Sequence, residues 1–89
     1  MPSYFVETYL ARAHAGERTE REARARSAAE ELTRDGTHLR FERAYHLPED
    51  ELCFFVFAAP SSRDAALAAV RAELGPIRVV EAIPTGEEN

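Results

Sequence analysis

One hydrophobic run in the chain does not alternate. Residues 52–59 read Leu-Cys-Phe-Phe-Val-Phe-Ala-Ala and are followed by Pro60. A strand with one wet face shows apolar and polar residues in period two. Here Leu52, Phe54, Val56 and Ala58 are apolar on one side and Cys53, Phe55 and Phe57 on the other. Such a strand belongs in the middle of a sheet that is covered on both faces.

The pattern predicts five further elements around it. Residues 3–10 are rich in aromatic and β-branched side chains and predict a first strand, with Glu7 as an acid between two aromatics. That acid is either solvent-facing or directed into a partly enclosed cavity. Residues 11–18 hold Gly16, show no period and predict a loop. Thr19 opens a helix, with Glu22 at the spacing of a capping box, and Ala25, Ala28, Ala29 and Leu32 form its apolar stripe. Glu20–Arg24, Glu22–Arg26 and Glu30–Arg34 are favourable i,i+4 pairs, which makes this arginine-rich surface a solvated helix face. Gly36 is the expected stop. Residues 39–47 alternate, with Leu39, Phe41, Arg43, Tyr45 and Leu47 opposite Arg40, Glu42, Ala44 and His46.

Pro48-Glu49-Asp50-Glu51 is a turn, so this segment and the apolar run form a hairpin. Symmetric closure sets Tyr45 opposite Phe54, Arg43 opposite Val56, His46 opposite Cys53 and Ala44 opposite Phe55, unless a bulge exchanges the faces. Ser61 or Ser62 caps a second helix with a stripe of Ala66, Leu67, Val70 and Leu74, and Gly75-Pro76 stops it. Residues 77–83 predict a last strand, with Val79, Glu81 and Ile83 opposite Arg78, Val80 and Ala82. A domain over 1–84 and an acidic, flexible tail over 85–89 are expected.

The order strand, helix, strand, strand, helix, strand predicts an α+β, ferredoxin-like βαββαβ domain. Right-handed crossovers place the first and third strands in the centre of a four-stranded antiparallel sheet, with both helices on one face. The other face stays apolar and needs a cover. The simplest is a second copy about a twofold axis, a homodimer of the dimeric α/β-barrel kind.

Composition narrows the function classes. The 89 residues carry a formal net charge of −5, which argues against a nucleic-acid or membrane-surface binder. All basic residues except the histidines are arginine, a bias suggesting a bacterial genome of high GC content. The single Cys53 allows no intrachain disulfide and fits a cytoplasmic location. No apolar stretch is long enough to span a membrane, and no secretion signal is expected.

The segments Met1-Pro2-Ser3-Tyr4-Phe5-Val6-Glu7, Leu47-Pro48-Glu49-Asp50-Glu51-Leu52-Cys53-Phe54, Ala59-Pro60-Ser61 and Val80-Glu81-Ala82 together resemble the bacterial nickel-responsive, nickel-binding small-protein family, a former domain of unknown function. The resemblance implies a ferredoxin-like dimer and nickel as a ligand. It also implies metal-binding histidines in the loop after the first strand, matched by His14, and on the second strand. There Arg43 occupies the expected position and His46 follows three residues later.

On the residues themselves, His14, His38 and His46 show neither i,i+4 nor H-x-H spacing. Glu7 and Glu81 are expected near each other on the helix-free face, where they and Tyr9 and Arg43 make up a candidate ligand pocket. Cys53 is expected to be a buried, inert thiol. No nucleophile elbow, phosphate-cradling glycine loop or zinc spacing occurs. A small dimeric ligand- or metal-binding protein is the leading expectation. The alternative is a dimeric α/β-barrel enzyme acting on a small organic substrate between the sheets, with Glu7, Tyr9 or Arg43 in acid–base or anchoring roles.

Overall fold

Strand β3 (Leu52–Ala58) lies between β1 (Ser3–Tyr9) and β2 (Arg40–Leu47) in the computed structural model, which describes residues 1–86. β4 (Pro76–Ala82) pairs with the other edge of β1, giving an antiparallel sheet of order β2-β3-β1-β4. Helices α1 (Arg18–Arg34) and α2 (Ser62–Arg71) form the crossovers, so the fold is the ferredoxin-like βαββαβ arrangement. The tail residues 87–89 lie outside the described residues.

The core is packed between the helices and one face of the sheet. Tyr4, Val6 and Leu10 from the first strand segment join Cys53, Phe55 and Phe57 from β3. Against them lie Ala25, Ala28, Ala29 and Leu32 of α1, the stripe expected from spacing. Alanine lets a helix backbone approach the sheet closely, and aromatic rings from the sheet fill the volume. Phe41 contributes one of these rings, 5.6 Å from Phe57 and 6.2 Å from Phe55, with the Arg26 guanidinium 5.2 Å above it on the outside. Thr8 is fully buried, and its hydroxyl donates to the Cys53 carbonyl at 2.7 Å.

Helix α2 turns a different stripe inward than its hydrophobicity suggests. Ala65, Ala68, Ala69 and Ala72 are buried at i, i+3, i+4 and i+7, while Leu67 is 44% and Val70 63% exposed. The expected stripe is corrected accordingly: Leu74 is buried, but as the residue just beyond the helix. Close approach favours the alanines, since leucine and valine in their place would hold the helix away from β1 and β4.

The helix ends are closed by specific bonds. α1 stops in a Schellman motif, with Gly36 N–H donating to Thr33 O and Thr37 N–H to Leu32 O at 3.1 and 2.8 Å. Gly36 has φ +105°, a region closed to most side chains. α2 ends in the same motif, but with Glu73 at φ 58° in the glycine position, two residues before the Gly75 stop expected from sequence. Arg24 reaches across from α1 to donate to the Ala72 and Glu73 carbonyls, satisfying the end of α2. Ser61 caps α2 by accepting from Asp64 N–H at 3.2 Å. At the start of α1 the capping box is not formed: Thr19 is already helical, and a 3-10 turn over Arg12–Glu17 precedes the helix where a loop was expected. Of the three expected pairs, Glu20–Arg24 closes at 2.7 Å.

Two bulges set which side chains face which way. In β2 the register passes from Phe41↔Phe57 to Arg43↔Val56, leaving Glu42 as an extra residue. Phe41 therefore points to the core, while Arg43 and Tyr45 point to the helix-free side. The single-parity expectation for residues 39–47 is corrected at this point. The hairpin register closer to the turn is as expected, with Ala44↔Phe55, Tyr45↔Phe54 and His46↔Cys53. In β4 the second bulge falls at Ile77.

If alanine packing sets the helix phase, Ala68→Leu is expected to destabilise the domain by about 1–3 kcal/mol through overpacking. Leu67→Ala is expected to stay within about 0.5 kcal/mol. Urea unfolding followed by circular dichroism measures both, and the reverse ranking would place the other stripe in the core.

Candidate functional site on the helix-free sheet face

On the helix-free face the small residues Val56 and Ala58 of β3 lie beside the large residues Phe5, Tyr45 and Phe54. Val56 and Ala58 form the floor, and both are buried within the single chain. Phe5 of β1 and Arg43 of β2 flank Val56 as its register partners. The Phe5 ring stacks on Tyr45 at 5.9 Å and 27° and meets Phe54 at 6.0 Å, forming an aromatic wall. An open groove of about 460 Å³ runs past this wall, lined by Ser3, Phe5, Glu42, Arg43, Tyr45, Val56 and Ala82, with Ile83 and Pro84 just beyond β4.

Charge on this face is arranged in pairs. Glu7 is largely covered, with its side chain 18% exposed, and accepts from Arg78 Nε at 2.8 Å. Arg78 sits directly across from it in the β1–β4 register. Glu42 accepts from Ser3 Oγ at 3.0 Å and from an Arg40 guanidinium nitrogen at 3.2 Å. Arg43 makes no hydrogen bond or ion pair among the described residues.

Of the expected pocket residues, the structure brings Glu7, Tyr9 and Arg43 to one face and excludes Glu81. Glu81 pairs in register with Tyr4, a core residue, so it belongs to the helix side of β4 and is exposed at the sheet edge. The expectation that Glu81 lies beside Glu7 is corrected. Val79, not Val80, packs against the core, and this turns Arg78 toward Glu7. Tyr9 stands exposed at the far end of β1, and its carbonyl accepts from Arg21 at 3.2 Å. Phe5, Tyr45 and Arg78 were missed as site residues. Tyr45 was available from the hairpin register, two residues beyond Arg43 on the same face.

The two histidines do not form a metal-binding set. His14 lies on the exposed 3-10 turn with Nδ1 3.8 Å from Glu17. His46 lies on the helix side of β2, opposite Cys53, with Nε2 buried and unbonded. Among the described residues, no group of three or more His, Cys, Asp or Glu side chains is placed to hold a metal ion. Among the described residues of one chain, His14 and His46 thus stand without the further donors that a nickel site takes.

Cys53 is buried beneath the start of α1. Burial pushes its thiol above the ordinary value, with Arg21 opposing and Glu22 adding to the shift. The hairpin tip nearby is tied down by Glu51, whose carboxylate accepts from Arg12 N–H and whose carbonyl accepts from Leu10 N–H, both at 2.9 Å.

No protein-family model and no curated protein matches the sequence. Among solved structures, the fold superposes on the crystal structure of SCO4226 from Streptomyces coelicolor A3(2) with a TM-score of 0.70. The two share 14% sequence identity, and the match covers 94% of this chain and 99% of that one. At that identity the likeness concerns the fold.

The neutral Cys53 thiol contributes stability that is full below the titration of an unfolded thiol and is lost as pH rises through the native value. The unfolding free energy is therefore expected to fall with pH in the alkaline range, and Cys53→Ala to remove that slope. Alkylation by iodoacetamide in native buffer is expected to be at least about tenfold slower than in urea. Fast native alkylation, or an unchanged slope in the variant, contradicts the burial argument.

Proposed function

We propose that the protein binds a small ligand in a cavity formed when two copies associate through their helix-free sheet faces. The observation that carries this reading is the stack of Phe5, Tyr45 and Phe54 beside a floor at Val56, on a face that no helix covers among the described residues. Tyr9, Tyr45 and Val80 on this face are exposed in the single chain. The apolar centre is bordered by both charge signs, Glu7 with Arg78 and Glu42 with Arg40, a composition suited to pairing with itself about a twofold axis. The groove of about 460 Å³ is open in one copy, and a facing copy would enclose it. Its size falls within the range of small-molecule sites.

Binding is favoured over catalysis because, among the described residues, the face offers recognition groups without a nucleophile–base pair. Glu7, the acid suited to proton transfer, is engaged by Arg78. The nickel reading has His46 Nε2 as its one unbonded buried donor, and a cation held at that point alone would lack further protein ligands among the described residues.

Light scattering at micromolar concentration is expected to give twice the 10.0 kDa chain mass. Phe54→Arg is expected to give the monomer mass with an unchanged circular dichroism spectrum. A monomeric parent protein overturns the reading. Calorimetric titration with nickel chloride near neutral pH is expected to give only heat of dilution, whereas saturable heat abolished by His46→Ala would restore the metal reading.

A further inference from the structure

The charges of the helix-free face do not balance, and the imbalance identifies a ligand class. Among the described residues it carries Arg40, Arg43 and Arg78 against Glu7 and Glu42. Each glutamate is already held, Glu7 by Arg78 at 2.8 Å and Glu42 by Arg40 at 3.2 Å. Glu42 lines the same groove but is held by Arg40 and Ser3, so among the described residues Arg43 is the groove's unpaired charge, in a chain whose overall net charge is −5. In an open monomer water solvates this guanidinium. Covered by a second copy, it becomes a buried unpaired cation, and the twofold axis supplies another. Such a pair needs an anion.

We infer that the groove takes a small organic acid, its carboxylate on the Arg43 guanidinium and its apolar body over Val56 against the Phe5–Tyr45 wall. The planar fork of arginine matches a carboxylate with two parallel hydrogen bonds. The stacked rings, 5.9 Å apart, offer a flat apolar surface that a bare inorganic anion would leave unused. This inference rests on the reading of the face as a ligand site and names what that site holds.

The test is a 15N–1H NMR titration of the full chain with benzoate, hexanoate, benzyl alcohol and inorganic phosphate, with light scattering in parallel. Benzoate or hexanoate is expected to shift the Phe5, Arg43 and Val56 amides saturably. Benzyl alcohol and phosphate are each expected to bind about tenfold more weakly, and Arg43→Gln to weaken acid binding about tenfold with the mass unchanged. The inference is overturned if neither acid gives saturable shifts on this face, if benzyl alcohol matches benzoate, if phosphate matches it, or if Arg43→Gln binds acids as well as the parent. A dimer that ignores both acids overturns this inference and leaves the dimer reading standing. A monomer that binds them does the reverse.

Discussion

Both faces of β3 are apolar, and every other element is placed by the need to keep them from water. On one face, Phe55 and Phe57 are fully buried under two helices that come close because their inner stripes are mostly alanine. On the other face, the chain covers the strand only in part. Val56 and Ala58 are small enough to be hidden by the larger residues of β1 and β2, so exposure is transferred outward to Tyr45, Tyr9 and Val80. The result is a surface with an apolar floor and an aromatic wall. The groove is thus a consequence of setting Val56, a small side chain, beside the large rings of Phe5 and Tyr45 on the neighbouring strands.

The fold was legible because long-period signals agreed with one another. Two stripes at helical spacing, two turn signals and one doubly apolar run admit few arrangements, and the ferredoxin-like order follows from them. The phase of α2 was not legible. Ala66, Leu67, Val70 and Leu74 make a more hydrophobic stripe than Ala65, Ala68, Ala69 and Ala72, so transfer free energy alone picks the wrong face. Distance decides instead: a helix with alanine inward lets its backbone lie near β1 and β4, and the sheet aromatics fill the space below. Leu74 is buried despite this, as the residue that closes the Schellman turn after α2.

Legibility of the site follows the same division between local and non-local constraints. The hairpin register at Tyr45↔Phe54 and Arg43↔Val56 came from a four-residue turn and is correct. The same strand changes face at Glu42, where an extra residue moves Phe41 into the core. Nothing in the sequence marks that bulge beyond the mismatch between an aromatic and an arginine on one parity. Sequence was least informative about β4. Val79 and Val80 are adjacent and equally apolar, so either could be the inward residue, and only packing against α2 and the core chooses Val79.

That last choice decides what kind of ligand the face can attract. With Val80 inward, Arg78 would leave the face and Glu81 would join it, giving three glutamates against Arg40 and Arg43. Such a surface has excess negative charge and an acid pair suited to a cation, in line with an expectation of metal binding. With Val79 inward, as found, Arg78 neutralises Glu7 at 2.8 Å and Glu81 is removed to the opposite side. Among the described residues the face is left with excess positive charge, located on Arg43. A step of one residue in a single edge strand therefore inverts the sign of the site, because alternate residues of a strand point to opposite faces. The chemistry of this face depends on the packing of one valine, and neither the acids nor the arginines taken alone determine it.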